Sequence, residues 1–151
     1  MDVDDKDLSV MSEGLQKFSA KVLEDFSTAT FMHFGISEKD ARLAAEVLSK
    51  ADRRGIDSHG VARLHTYFDM LTLGRINPKP NVKIVREKKS VATVDGDNGL
   101  GLVVGPKANE IAMDKASEHG SGWVSVFNTN HYGIAGYYAL KALERYMIGC
   151  S

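Results

Sequence analysis

The period at which apolar residues recur changes near Gly74–Pro80, and this change constrains the fold more than any other feature of the chain. Before it, apolar positions repeat every three or four residues, as in a helix that buries one face. After it, they fall into short β-branched runs, as in strands.

Three helices are expected in the first part. Residues 12 to 34 carry Leu15, Phe18, Val22 and Phe26 as one stripe, with Ser12 as N-cap and Gly35 as stop. A second helix opens on Ser37, with Asp40 three positions on as in a capping box. Its buried stripe is Ala41, Ala44, Ala45 and Leu48, its last turn holds Arg53 and Arg54, and Gly55 stops it. A third starts at Ser58 or His59, aligns Val61, Leu64, Phe68 and Leu71 on one face, and ends at Gly74.

Beyond Pro80, the runs Val82–Val85 and Val91–Val94 predict a hairpin with its turn in "REKKS". "GDNGLGLVVG" reads as a glycine-rich loop, Pro106 to His119 as a helix with proline in its first turn, and "GWVSVFNTN" as a strand. Gly133 to Met147 reads as a helix and "IGC" as a last strand. The expected fold class is α/β (α+β): a helical domain over residues 1–76, then a mixed α/β domain over 77–151 ordered β-β-α-β-α-β.

Nineteen basic and 20 acidic residues are interspersed, for a net charge of −1, which leaves no footprint for nucleic acid or an anionic membrane. The single cysteine, Cys150, suits a reducing compartment. The acidic N-terminus is not a secretory signal, and no apolar run approaches the ~20 residues of a membrane span, so a cytoplasmic protein is expected. The closing "MIGC" reads as the start of a buried strand, from which the chain is expected to be the front portion of a longer protein.

Two stretches carry chemistry. In "GIDSHGVARL", His59 and Arg63 are four apart, and Tyr67 follows four later, so on a helix they share one ridge. Asp57 and Ser58 sit at the cap, where backbone N–H groups favour anions. A histidine exchanges protons near neutrality, and an arginine grips a carboxylate with paired hydrogen bonds. A substrate with a carboxylate beside a hydroxyl or carbonyl suits both. On spacing alone the plainer reading stands ahead: a serine cap, a solvated arginine and a surface histidine. His65, off this ridge, reads as solvated, as do His33 and His119 at helix ends.

The other stretch, "NTNHYGIAGYY", lies where a strand gives way to a helix, the place where α/β proteins bind ligands. It offers Asn128, Asn130, His131 and Tyr132, with Gly133 and Gly136 for close approach. A histidine at a helix start has its charged form disfavoured and stays able to accept a proton. The plainer reading is an Asn/His turn that caps the helix. His59 and His131 can meet only in three dimensions. Gly99, Gly101 and Gly105 are spaced one residue too long for a dinucleotide loop, and no acidic residue follows where that loop requires one. No set of His, Cys, Asp and Glu has metal-ligand spacing, so no metal is expected.

"DSHG" with Arg63 and Tyr67, then "DGDNGLG", then "NTNHYG", together resemble the type-2 malate/L-lactate dehydrogenase family, from about Ser12 to the end. That family includes ureidoglycolate and sulfolactate dehydrogenases and reductases of cyclic imino acids. The resemblance implies a non-Rossmann fold, a homodimer, and hydride transfer between NAD or NADP and a small 2-hydroxy or 2-oxo acid. It matches His131 to a proton shuttle, and Ser58 and His59 to a relay-and-donor pair of the imine reductases. It matches Arg63 to a carboxylate clamp and Tyr67 to a substrate contact, and Asn130 is taken with them as substrate-binding. His131 is preferred as shuttle for a hydroxy acid, with His59 orienting the substrate.

Family members run to roughly twice this length, and the resemblance puts most cofactor contacts beyond residue 151. The 151-residue chain alone is therefore expected to lack activity and to fold poorly. Two other readings stay open: a truncated, non-catalytic paralogue that acts as a dimerisation or binding module, and a small standalone α/β enzyme, which would need a cofactor loop not found here.

Overall fold

A computed structural model describes residues 17–151. Helix α1 spans Ala20–His33, α2 Glu38–Asp52 and α3 Leu64–Thr72, with two short 3-10 turns, Asp57–His59 and Val61–Arg63, before α3. Strand β1 (Lys83–Lys88), β2 (Val91–Gly99), helix α4 (Gly101–His119), β3 (Trp123–Thr129) and helix α5 (Ala135–Leu143) follow. The strands form one sheet in the order β1-β2-β3, with β1 antiparallel and β3 parallel to β2.

The second helix follows its sequence pattern closely. Ser37 Oγ accepts the Asp40 N–H at 3.2 Å, and Ala41, Ala44, Ala45 and Leu48 are all buried. Arg53 and Arg54 lie just past its end, and Gly55 takes the left-handed backbone that a stop requires.

The first helix differs. It is capped by Ser19, whose Oγ accepts the Val22 N–H; Ser12 and Leu15 lie outside the described residues. The expected stripe points outward: Phe18, Val22 and Phe26 are 60%, 55% and 61% exposed. The packed face is Ser27, Thr28 and Phe31. The alanines of α2 leave room only for a close approach by small side chains, and Ser27 and Thr28 supply them.

Three later elements also depart from the expected reading. The hairpin turn is only Lys89 and Ser90, and β1 runs on through the charged Arg86, Glu87 and Lys88. All of β1 is exposed, and an edge strand tolerates such charges. The glycine-rich "loop" divides between the end of β2 and the start of α4, so Pro106 sits inside the helix rather than in its first turn. Burial decides this: Leu102, Val103 and Val104 are at most 2% exposed, and helix formation satisfies their backbone groups inside the core. Finally, α5 ends at Leu143, and "IGC" forms no strand among the described residues. It has no neighbouring strand there to share a ladder.

The main buried cluster draws on both halves of the chain. Phe31, Ala44, Leu48, Leu64, Tyr67 and Leu71 from the helices meet Leu102, Val103, Ile134 and Tyr138. This contact brings the third helix against the loop after β3.

Candidate active site

The segment after α2 is not one helix. Gly60 has an extended backbone, φ −89° and ψ −151°, which separates the two 3-10 turns. Ser58 and His59 lie on the first turn, Arg63 on the second and Tyr67 on α3. The expected α-helical ridge of His59, Arg63 and Tyr67 is thus corrected. Nor is Tyr67 on a polar surface: it is 2% exposed and packs edge-on against Phe31, with ring centroids 6.2 Å apart.

Asp52 holds this break in place. Its Oδ2 accepts the Val61 N–H at 2.9 Å. A Cβ on Gly60 would stand 1.6 Å from Asp52 Oδ1, so only glycine fits beneath the carboxylate. Motif spacing does not single out Asp52, although the residue leaves a signal. A carboxylate in the last turn of a helix opposes the dipole and needs another reason to be there.

His131 is placed from the other side. It follows β3, where the Asn130 and His131 carbonyls press on Gly101; a Cβ there would lie 2.1 Å from the Asn130 oxygen. Gly105 is similarly filled, by the Tyr138 hydroxyl. These glycines permit close packing of α4, and so this segment offers no cradle for a pyrophosphate. The residues described do not fit a dinucleotide site of that kind.

The two halves meet. The imidazoles of His59 and His131 have centroids 5.3 Å apart, tilted by 33°. Each Nδ1 faces a hydroxyl: Ser58 Oγ lies 3.0 Å from that of His59, and Tyr67 Oη 2.8 Å from that of His131. The Gly133 N–H also points at His131 Nδ1, at 3.3 Å. Arg63 donates its Nε–H to the Ser58 carbonyl at 2.9 Å, which fixes the guanidinium by one edge; its terminal nitrogens have no hydrogen-bond partner among the described residues.

Partial desolvation of a ring that still reaches solvent, and then the positive charges of Arg63 and His59, hold the His131 imidazole below its ordinary pKa. The direction agrees with the sequence reading, but the main cause is desolvation rather than a helix end. Burial pushes the Tyr67 phenol up to about 12, partly countered by Arg63. Arg63 therefore acts electrostatically on both members of the Tyr67–His131 pair.

Asn130 does not join the group through its donors. Its Nδ2 is committed to the loop, to Asn98 O and Oδ1 and to Gly99 O. Asn128 is likewise a tie: its amide donates to Asp95 at 3.0 Å, and the Asp97 N–H, then this amide, hold that carboxyl below the usual range. His65 faces the Ala62 carbonyl at the surface. No cluster of three potential metal ligands occurs among the described residues, and no helix among them is long and apolar enough to cross a membrane.

The histidine pair lies at the surface rather than in an enclosed cavity. A hollow that takes in Asn130 and Tyr132, the neighbours of His131, runs between α4 and β3 and is also lined by Gly105, Asn109, Val126 and Tyr138. A second, apolar hollow lies between α1 and α3, lined by Phe26, Leu64 and Phe68 among others.

Comparison with known proteins gives a consistent result. A family model described as malate/L-lactate dehydrogenase matches residues 18–151. A malate dehydrogenase of Pyrococcus abyssi is 51% identical over 129 residues, 85% of this chain and 36% of that protein. An L-sulfolactate dehydrogenase of Methanocaldococcus jannaschii is 51% identical over 116 residues, 77% of this chain and 34% of its own. The solved structure of malate dehydrogenase from Pyrococcus horikoshii superposes with a TM-score of 0.84 at 43% identity, covering 86% of this chain and 37% of that one. The chain thus spans about a third of the length of the curated relatives it matches.

Proposed function

The chain belongs to the malate/L-lactate dehydrogenase family, and from that premise we propose that it carries the proton-transfer and carboxylate-binding half of a 2-hydroxy-acid dehydrogenase. One observation carries the reading: His131, its charged form disfavoured, lies beside His59 and within the field of an arginine whose terminal nitrogens have no protein partner among the described residues.

Arg63 binds the substrate carboxylate with paired charge-assisted hydrogen bonds and so fixes the face that C2 presents. His131, neutral at physiological pH, takes the C2 hydroxyl proton during oxidation and returns it during reduction. His59, held by Ser58, orients the same oxygen. When bound, a nicotinamide cofactor, NAD or NADP, supplies the hydride acceptor. The glycines of α4 are filled by packing, so no cofactor contact is assigned to them. The substrate is a small 2-hydroxy acid of the malate, lactate, ureidoglycolate or sulfolactate kind. The protein acts in the cytoplasm as a homodimer. A second reading, a cyclic imino-acid reductase with Ser58 and His59 as relay and donor, is favoured by the 3.0 Å contact between them.

The test is a panel of 2-hydroxy acids and cyclic imines assayed on the whole gene product with both nicotinamides. Turnover of a hydroxy acid that collapses in His131→Ala supports the main reading. Turnover of an imine that depends on His59 instead supports the second. No turnover of either class rejects both.

A further inference from the structure

The phenol of Tyr67 has no evident reason to be where it is if it serves only the core. Its ring fills space between Phe31 and the loop after β3, and phenylalanine would do that as well. Yet its oxygen reaches His131 Nδ1 at 2.8 Å, well inside hydrogen-bond range. The competing partner of the same nitrogen is the Gly133 N–H, at the longer distance of 3.3 Å.

The two partners constrain the ring differently: the Gly133 N–H requires a bare Nδ1, whereas the Tyr67 phenol, both donor and acceptor, is compatible with either tautomer. A backbone N–H only donates, so Gly133 favours a bare Nδ1 and a proton on Nε2. A ring in that form can donate from Nε2 but has no lone pair there with which to accept a substrate proton. A phenol oxygen can accept, so Tyr67 is able to hold a proton on Nδ1 and leave Nε2 open. It can do so without changing its own state, because the bond from Nδ1–H to the phenol persists when Nε2 becomes protonated.

We propose that Tyr67 is a positioning residue for His131: its hydroxyl oxygen accepts the Nδ1–H, so that Nε2 is the nitrogen that takes and returns the substrate proton. This rests on the reading of His131 as the proton shuttle. The role parallels that of a carboxylate behind a catalytic histidine, with a neutral group in its place. Tyr67 does not relay a proton itself, since its buried phenol holds its proton more tightly than an ordinary tyrosine. Ser58 stands in the same relation to His59 but is exposed, so water can replace it.

The experiment compares the parent and Tyr67→Phe as whole gene products labelled with 15N-histidine. At a pH where His131 is neutral, the parent ring is expected as the Nδ1–H tautomer. The variant is expected to switch to Nε2–H, because Gly133 is then the remaining partner. Turnover of a 2-hydroxy acid should fall at least about tenfold with KM within about twofold, the pattern of a wrongly held base. The acid limb of its pH profile should move lower, because the imidazolium loses an acceptor. A parent already in the Nε2–H form, or a variant whose turnover stays within about twofold, overturns the proposal. If Tyr67→Phe fails to fold, the parent tautomer decides alone. If the parent turns over no 2-hydroxy acid, the proposed function fails separately, and the tautomer switch still decides the pairing.

Discussion

The carboxylate of Asp52, at the end of α2, accepts the backbone N–H of Val61 at 2.9 Å and so ties the second of the turns that carry Ser58, His59 and Arg63 back to that helix. Its geometry depends on an absent atom, the Cβ of residue 60.

Gly60→Ala should therefore act as a lesion of the site as well as of stability. The methyl would displace Asp52, at a cost of about 1–3 kcal/mol for overpacking. Asp52→Ala should cost a similar ~1–3 kcal/mol by leaving the Val61 N–H unpaired. In the whole gene product both should raise KM for the 2-hydroxy acid of the proposed function, because Arg63 is tied to the same segment. Thermal melts together with steady-state kinetics decide this; a Gly60→Ala protein with parental melting and KM would refute it.

Gly101→Ala should disturb His131 from the opposite side. Its Cβ would stand 2.1 Å from the Asn130 carbonyl oxygen and 2.4 Å from that of His131. Those atoms are backbone and cannot rotate away, so α4 or the loop must shift. The expected result is a loss of about 1–3 kcal/mol in stability and a larger fall in kcat than in substrate affinity. Denaturant melts and kinetics on the same preparation test both parts.

The two histidines are expected to differ in rank. His131→Ala should lower turnover by about 10²–10⁴-fold, the range for loss of a positioned acid–base group. His59→Ala should lower it less and raise KM more. The reverse ranking would reassign the shuttle to His59.

The pH dependence follows from the environment of His131. Partial desolvation, then Arg63 and His59, disfavour its charged form. With His131 as the proposed shuttle, oxidation of a 2-hydroxy acid by the whole gene product needs the neutral ring, so its acid limb should lie below the ordinary value of ~6.5. Reduction needs the protonated ring and should fade as pH rises through the same value. Stability has the matching sign: the unfolded chain binds this proton more readily, so stability falls as pH drops from ~6.5 through the lowered value. Arg63→Gln removes one of the charges and should move the acid limb upward, though not fully, since the partial desolvation remains. A limb above pH 7 in the parent would contradict the assignment.

Local order was largely legible in the residues. Ser37, the alanines of α2 and Gly55 act where their spacing put them, because caps and close packing depend on near neighbours. The outward stripe of Phe18, Val22 and Phe26 shows the limit of that reasoning: periodicity finds an apolar face without saying what covers it. The glycines of "GDNGLGLVVG" show another. Their spacing resembles a ligand loop, whereas the atoms that fill them, Pro80, the Asn130 carbonyl and Tyr138, come from elsewhere in the chain.

Which side chains carry chemistry, and the local signals around them, can be read from residue order alone. The motifs "DSHG" and "NTNHYG" hold the imidazoles and the hydroxyl, and Arg63 holds the charge. That His59 meets His131, that Tyr67 is a buried partner rather than part of an exposed ridge, and that Asp52 ties down the segment emerge with the folded chain. The physical reason is that helical spacing is set by local hydrogen bonds. Contacts between distant segments are set instead by which faces the whole core can bury together.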